Sequence, residues 1–248
     1  KEDEIPLRKI ELHLCNGSQH LTPESGFAEL EAYLYPIQAS YQDLQWSVVN
    51  EGGIPSPLAT VTVQGNRALV NPRGDGNFVI RCSSTNGTDH VRLISQLEFT
   101  AAGFGTLYKD PYQFCSAGLY DDANDGVGPG NEQGIATARD ITTIVGYRDL
   151  DFGTDGSDTI SLPIFTLSNE AYGLEIWQGY PEGEGSIKLG NFIYKKKSIW
   201  NVYQEATYHL NRRLRLLQSI YFVTTAKMHI KGLIFEKQNR AHTRIYAN

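Results

Sequence analysis

The 248-residue sequence predicts an all-β protein built as two β-sandwiches in series. Three observations point that way. Short β-rich runs recur along nearly the whole chain. Clusters of Gly, Asn, Asp and Pro separate them, at the roughly 8–12-residue spacing of small sandwich strands. No stretch carries helical periodicity over enough residues to nucleate a helix. With 40% hydrophobic and 20% charged residues, the composition is that of a soluble chain that buries a core. No apolar run nears the roughly 20 residues that span a bilayer as a helix, and no signal peptide opens the sequence. The chain starts at Lys1 and its only methionine is Met228, so it reads as a piece of a longer protein.

In order, the first strands are expected at Lys9–Cys15, Ala28–Tyr35, Leu44–Val49, Thr60–Val63, Ala68–Val70, Phe78–Cys82 and Val91–Thr100. Asn50-Glu51-Gly52-Gly53, Pro72-Arg73-Gly74-Asp75-Gly76 and Thr85-Asn86-Gly87 supply turns between them. Seven short strands in about 100 residues is the pattern of an immunoglobulin-like sandwich. Trp46 fits its core, and Cys82 has no cysteine on the second run to pair with. The small, Gly-rich Ala101-Ala102-Gly103-Phe104-Gly105 is the expected boundary, giving domains 1–103 and 104–248. Beyond it, strands are expected at Gln113–Ala117, Gly134–Thr137, Ile141–Arg148, Thr159–Phe165, Gly173–Gln178, Lys188–Tyr194, Trp200–His209, Leu216–Thr224 and His229–Glu236. Tyr120 to Gln133 reads as a long loop, and Asn211–Arg215 as a charged hairpin connection. Nine strands without a helix describe a β-sandwich of the jelly-roll kind.

The net charge of −6 argues against nucleic acid or an anionic membrane as the main partner. Its distribution is uneven. Lys1–Gly103 has 7 basic and 12 acidic residues, Phe104–Ile187 has 3 and 14, and Lys188–Asn248 has 12 and 2. The last stretch is either a basic binding surface or one half of a domain neutralised by the other. Cys15, Cys82 and Cys115 lack metal-ligand spacing and read as buried apolar residues of a reducing compartment, which points to the cytoplasm, with secretion or surface display as the alternative. The six histidines are scattered, so no metal or other cofactor is expected.

Sugar binding needs an aromatic platform rimmed by hydrogen-bonding groups, because pyranose C–H faces stack on rings. Trp200, Trp177, Tyr180 and Tyr203 are candidate platforms, with Arg139, Asn201 and His229 as polar partners. Trp177 and Tyr203 read equally well as sandwich core. Glu132, Asp149, Asp151, Glu170 and Glu175 are the notable acids, and none sits in a recognisable acid/base motif. No catalytic residue is assigned. Asp121-Asp122-Ala123-Asn124-Asp125-Gly126 reads either as a calcium loop or as a solvated turn.

Two resemblances sharpen the expectation. Gln45-Trp46-Ser47-Val48 followed by Ala59-Thr60-Val61 resembles bacterial immunoglobulin-like modules. Val145–Gly153, Ser198-Ile199-Trp200-Asn201-Val202-Tyr203 and Ile230–Phe235 resemble family 6 carbohydrate-binding modules, the middle phrase matching their tryptophan-bearing strand. Pro111–Arg240 is also similar to the C-terminal domain of bacterial glycoside hydrolase family 2 enzymes of the β-galactosidase type. Phe114–Tyr120, Ser198–Glu205 and His229–Gly232 carry that likeness. The resemblance implies a non-catalytic accessory region of a bacterial glycosidase. Its partners would be a β-galactoside, the catalytic domain of the same chain, and a second copy of the chain. An adhesin tail and an oligomerisation module are the alternatives. Departures from the pattern follow residue by residue. The structural calcium of these modules would meet Gln113, Cys115 and Lys231, and an ammonium repels a cation, so that site is expected to be empty. Of the sugar clamp, Trp200 keeps the tryptophan, His229 stands at the asparagine and Ala138 at the tyrosine.

Overall fold

The computed structural model describes residues 3–239 and Tyr246. The chain divides into two compact units, Lys1–Leu107 and Tyr108–Asn248. Gly103 to Leu107 belongs with the first of them for a local reason. The Asp75 carboxylate accepts the Phe104 N–H at 2.8 Å, and the Asp75 N–H donates to the Gly105 carbonyl at 2.9 Å. Phe104 packs on the first core. The division therefore falls at Leu107/Tyr108 instead of at Gly103/Phe104.

The first unit has strands β1 (Lys9–Asn16), β2 (His20–Leu21), β3 (Ala28–Tyr35), β4 (Gln45–Val49), β5 (Ala59–Gln64), β6 (Arg67–Pro72), β7 (Gly76–Thr85) and β8 (Arg92–Ala101). They form two four-stranded sheets, β1-β3-β6-β5 and β2-β8-β7-β4. Alternation decides which side chains go inside. In β3, Ala28, Leu30 and Ala32 are buried while Glu29 and Glu31 turn outward to Arg67 of β6. Phe78 and Phe99 stack in the core with centroids 5.7 Å apart. Trp46 is partly buried between two apolar clusters. Cys15, Cys82 and Cys115 are all free thiols, but only Cys82 is buried as expected; Cys115 is half-buried, and Cys15, near the end of edge strand β1, is exposed.

The second unit has β9 (Cys115–Ser116), β10 (Asp122–Ala123), β11 (Gly128–Pro129), β12 (Ile135–Ala136), β13 (Thr143–Asp151), β14 (Ser157–Phe165), β15 (Tyr172–Gln178), β16 (Ile187–Tyr194), β17 (Gln204–Leu214), β18 (Leu217–Thr224), β19 (His229–Ile230) and β20 (Gly232–Phe235). One sheet runs β10-β13-β18-β15-β16; the other runs β11-β12-β19-β14-β20-β9, with β17 paired to β14. Both units are thus β-sandwiches, the second with the two packed antiparallel sheets of a jelly roll. Its core is filled by inward residues of both sheets, among them Tyr147, Phe152, Ile160, Leu162, Ile176, Phe222 and Phe235. Two tyrosines that pack in this unit have acceptors for their hydroxyls, as burial favours. The Tyr147 hydroxyl donates to the Ala117 carbonyl at 2.6 Å, and that of Tyr112 to Phe152 at 2.6 Å.

Several expected elements differ; the strand expected at His229–Glu236, for one, is broken at Lys231 into β19 and β20. The strand expected at Trp200–His209 starts only at Gln204, and Trp200 lies on the preceding loop. Asn211–Leu214 is not a connection but the end of β17, which turns at Arg215-Leu216, with Leu216 at φ 58°. Leu216 is held there because its N–H donates to Gly153 and its carbonyl accepts from Phe152. Gly156 makes the facing turn possible. At φ +74°, a Cβ on it would lie 2.1 Å from the Leu214 carbonyl oxygen. Within Tyr120–Gln133, expected as loop, β10 and β11 form short pairings with β13 and β12.

β16 forms one edge of its sheet. Side chains of β17, from the other sheet, reach it: Asn211 Nδ2 donates to the Lys188 carbonyl at 2.9 Å, and the Tyr208 hydroxyl to that of Ile193 at 3.4 Å.

Candidate functional site

Residues 195–203 connect β16 to β17 and carry Trp200, whose side is turned to solvent at 68% exposure. An indole left this open has an apolar face available to a ligand. The loop is held from its base. Gln204 opens β17 opposite Ile164 of β14. Its Oε1 accepts the Lys197 N–H at 2.8 Å, and its Nε2 donates to Ser198 Oγ at 3.0 Å and the Trp200 carbonyl at 3.4 Å. Lys196 Nζ braces the same loop, donating to Asn201 Oδ1 at 3.0 Å and the Leu167 carbonyl at 3.4 Å. Asn201 is exposed.

The other strand ends meet nearby in register. Phe165, ending β14, pairs with His229 of β19, which also pairs with Ala136 of β12. The rings of Phe165 and His229 lie 5.3 Å apart, and those of Phe165 and Tyr203 6.1 Å apart. The Tyr203 hydroxyl donates to the Asn131 carbonyl at 2.8 Å. Burial, with a smaller contribution from the Glu132 carboxylate, raises its pKa. Burial, then the Lys227 charge, lowers that of His229, so a neutral imidazole is favoured there; its Nδ1 is buried without a partner in the protein. Lys231 sits 3.0 Å from Glu132 and 6.0 Å from the centroid of Tyr203. Arg139 is exposed between β12 and β13. Next to it, Ala138 donates its N–H to Thr143 Oγ1. No aromatic ring stacks on Trp200 among the described residues.

Trp177 is elsewhere. It lies on β15, and its neighbours form a row across the five-stranded sheet: Asp122, Gly146, Tyr221, Trp177, Lys188. Gly146 is needed under this row, since a Cβ would meet the Tyr221 ring at 2.3 Å. The Tyr221 hydroxyl donates to Asp122 at 2.9 Å, Arg148 reaches Asp122 at 3.2 Å, and the Tyr180 ring packs edge-on to Tyr221. Lys188 Nζ lies 5.4 Å from the Trp177 centroid and 2.5 Å from Glu175. Of the residues expected to form one site, Trp200 and Asn201 share the loop that leads into β17, and His229 lies on β19, which pairs with the same strand β14 as β17 does. The structure puts Trp177 on a different sheet. Trp177 and Tyr203 are half-buried and belong to neither sandwich core. Gln204, Lys196 and Phe165 escape sequence reading because each acts through a register or a loop path.

The acidic loop is engaged with protein groups. Asp121 pairs with Lys109 and accepts the Arg148 N–H, Asp122 holds Arg148 and Tyr221, and Asn124 Oδ1 accepts from Gly126 and Ile144. Those oxygens are committed to chain donors. Among the described residues no three or more His, Cys, Asp or Glu side chains cluster to hold a metal ion.

No family model and no curated protein matches this sequence. Solved structures similar to it include a family 6 carbohydrate-binding module at 19% identity, covering 54% of this chain and 100% of that chain, with a TM-score of 0.45. Another is CsCBM6-3 from Clostridium stercorarium in complex with cellobiose, at 17% identity over 53% of this chain and 98% of that one, TM-score 0.45. A third, a family 43 arabinoxylan arabinofuranohydrolase from Bacillus subtilis, covers 95% of this chain and 54% of that chain at 12% identity and TM-score 0.43. At these values the likeness says nothing of ligand or activity.

Proposed function

We propose that the second unit is a non-catalytic carbohydrate-binding module, with Trp200 as its sugar platform. The observation that carries this reading is the exposed indole on a loop pinned by Gln204 and braced by Lys196. Such a platform loses little freedom on binding, which lowers the cost of capturing a ligand. The polar rim would be Asn201 on the same loop, with His229 on β19 and the exposed Arg139 between β12 and β13 as further partners. The first unit is proposed to be an immunoglobulin-like spacer. Together the units would be the C-terminal accessory region of a bacterial, cytoplasmic glycoside hydrolase of the β-galactosidase type, a parent inferred from the sequence phrases alone.

A single indole face without an opposing ring buries little sugar. Affinity for a β-galactoside should therefore be weak, with Kd on the order of 1 mM, or about −4 kcal/mol. NMR titration with β-galactosides should shift the Trp200 indole N–H signal, and Trp200→Ala should abolish binding. A flat titration to tens of millimolar (about 30 mM and beyond) would overturn the reading. A second reading is favoured by the exposure of Ile199 (78%), Leu167 (67%) and Val202 (55%) about the same loop. On that reading Trp200 docks against the catalytic domain or a second copy, and its fluorescence would shift with protein concentration or on adding that domain.

A further inference from the structure

We infer that the saccharide held at Trp200 is an anionic one, carrying a uronic carboxylate or a sulfate ester. This rests on the carbohydrate reading above and adds the ligand's charge to it. The chain as a whole is acidic, yet residues 185–204 contain four lysines and no Asp or Glu. Within that stretch Lys188 reaches Glu175, and outside it Lys9 reaches Glu11, Lys109 reaches Asp121 and Lys231 reaches Glu132, while Lys227 and Lys237 stand singly and without an ion pair among the described residues. Lys195, Lys196 and Lys197, directly before Ser198-Ile199-Trp200, form no ion pair among the described residues. Lys195 and Lys197 are exposed. The ammonium of Lys196 is held only by two neutral oxygens, of Leu167 and Asn201, which orient it without neutralising it. An ammonium has three N–H groups, so one remains for a ligand.

The geometry brings these charges to the platform. One Gln204 side chain bonds the backbone of both Lys197 and Trp200, so the basic run and the indole are fixed parts of one short loop. Lys196 and Asn201 bridge it on the other side. Lys195, Lys196 and Lys197 precede the indole by three to five residues on that loop, so a saccharide stacked on it would be met by ammonium groups of the same short segment, and charge acts over roughly 8 Å at physiological salt. A carboxylate at C6 or a ring sulfate supplies the missing counter-charge. A polynucleotide would also bring charge, but its phosphates would run past this loop over the rest of a protein of net charge −6, whereas a short acidic saccharide meets the loop alone.

The test titrates the whole chain with neutral β-galactan, galacturonate and sulfated galactan oligosaccharides of equal length, and with a single-stranded oligonucleotide. The readouts are the Trp200 indole signal and Kd. Exposed charge pairs contribute modestly, so the acidic saccharides should bind about tenfold tighter than the neutral one. High salt and the double variant Lys195→Gln/Lys197→Gln should close that gap. The two acidic arms tell carboxylate from sulfate. Equal affinity for neutral and acidic saccharides would overturn the inference while leaving the carbohydrate reading intact. No binding by any saccharide would overturn both. An oligonucleotide that binds as tightly as the acidic saccharides, at the same signal, would show a general polyanion site and overturn saccharide recognition.

Discussion

Removing the Gln204 side chain should loosen the loop that presents Trp200 without unfolding the sandwich. Gln204→Ala deletes one bond accepted from Lys197 and two donated to Ser198 and the Trp200 carbonyl, of lengths 2.8, 3.0 and 3.4 Å. Each net hydrogen bond contributes about 0.5–1.5 kcal/mol, and the longest counts for little. The loop should lose about 1–3 kcal/mol of local stability, equivalent to roughly 5- to 150-fold easier opening. Hydrogen exchange reads this directly at the Lys197 amide, which should exchange at least about fivefold faster, while amides of β14 and β18 keep their protection. Gln204→Glu retains an acceptor for that N–H but loses the donors, so it should preserve Lys197 protection and still release the Trp200 end. Saccharide affinity should fall in both variants, because ordering the loop is then charged to binding. Unchanged Lys197 exchange in Gln204→Ala would refute the idea that this side chain organises the platform.

Four further outcomes are expected. Gly156→Ala forces an L residue to φ +74° against the Leu214 carbonyl, and should cost at least about 1–3 kcal/mol in a denaturant midpoint; a neutral result would mean the turn relaxes freely. Tyr147→Phe leaves the Ala117 carbonyl buried without its donor and should destabilise by about 1–3 kcal/mol, measured by thermal melting. Burial pushes the Cys82 thiol up to about 12, so a thiol reagent at pH 8 should label exposed Cys15 quickly and Cys82 only after unfolding. Burial lowers the pKa of His229, so the folded state binds its proton less readily than the unfolded chain. Its contribution is full above about pH 6.5, and stability falls as pH drops from there toward the lowered folded pKa. His229→Phe should flatten that acid limb, and an unaltered limb would assign it to other groups.

Much of the architecture was legible because alternation is a local property. β3 matches the expected Ala28–Tyr35 run at both ends, and β15 differs from its run only by including Tyr172. Trp200 was misplaced onto a strand because Ile199, Val202 and Tyr203 are β-formers. What ends their strand character is the Gln204 side chain bonding back into the loop, an interaction that propensity does not register. Asn211–Leu214 failed the opposite way. Its charges suggested a connection, yet only Leu214 of that run is buried in the core, and the polar residues sit on the outward or edge side of β17. The candidate site was half legible. Residue types named Trp200 and His229, but Trp177 joined them only on paper, because which strands share a sheet is set by long-range pairing.

The side chains that reach across to β16 bear on how copies of this protein coexist. A bare sheet edge is a template on which a neighbouring chain can add a strand, and repetition of that step builds fibrils. Here the Lys188 and Ile193 carbonyls already accept from Asn211 and Tyr208, so an incoming strand would have to displace donors that belong to the same fold. Two of the carbonyls that a neighbouring strand could use along this edge are thereby already taken from within the fold, so an added strand would start from a broken ladder.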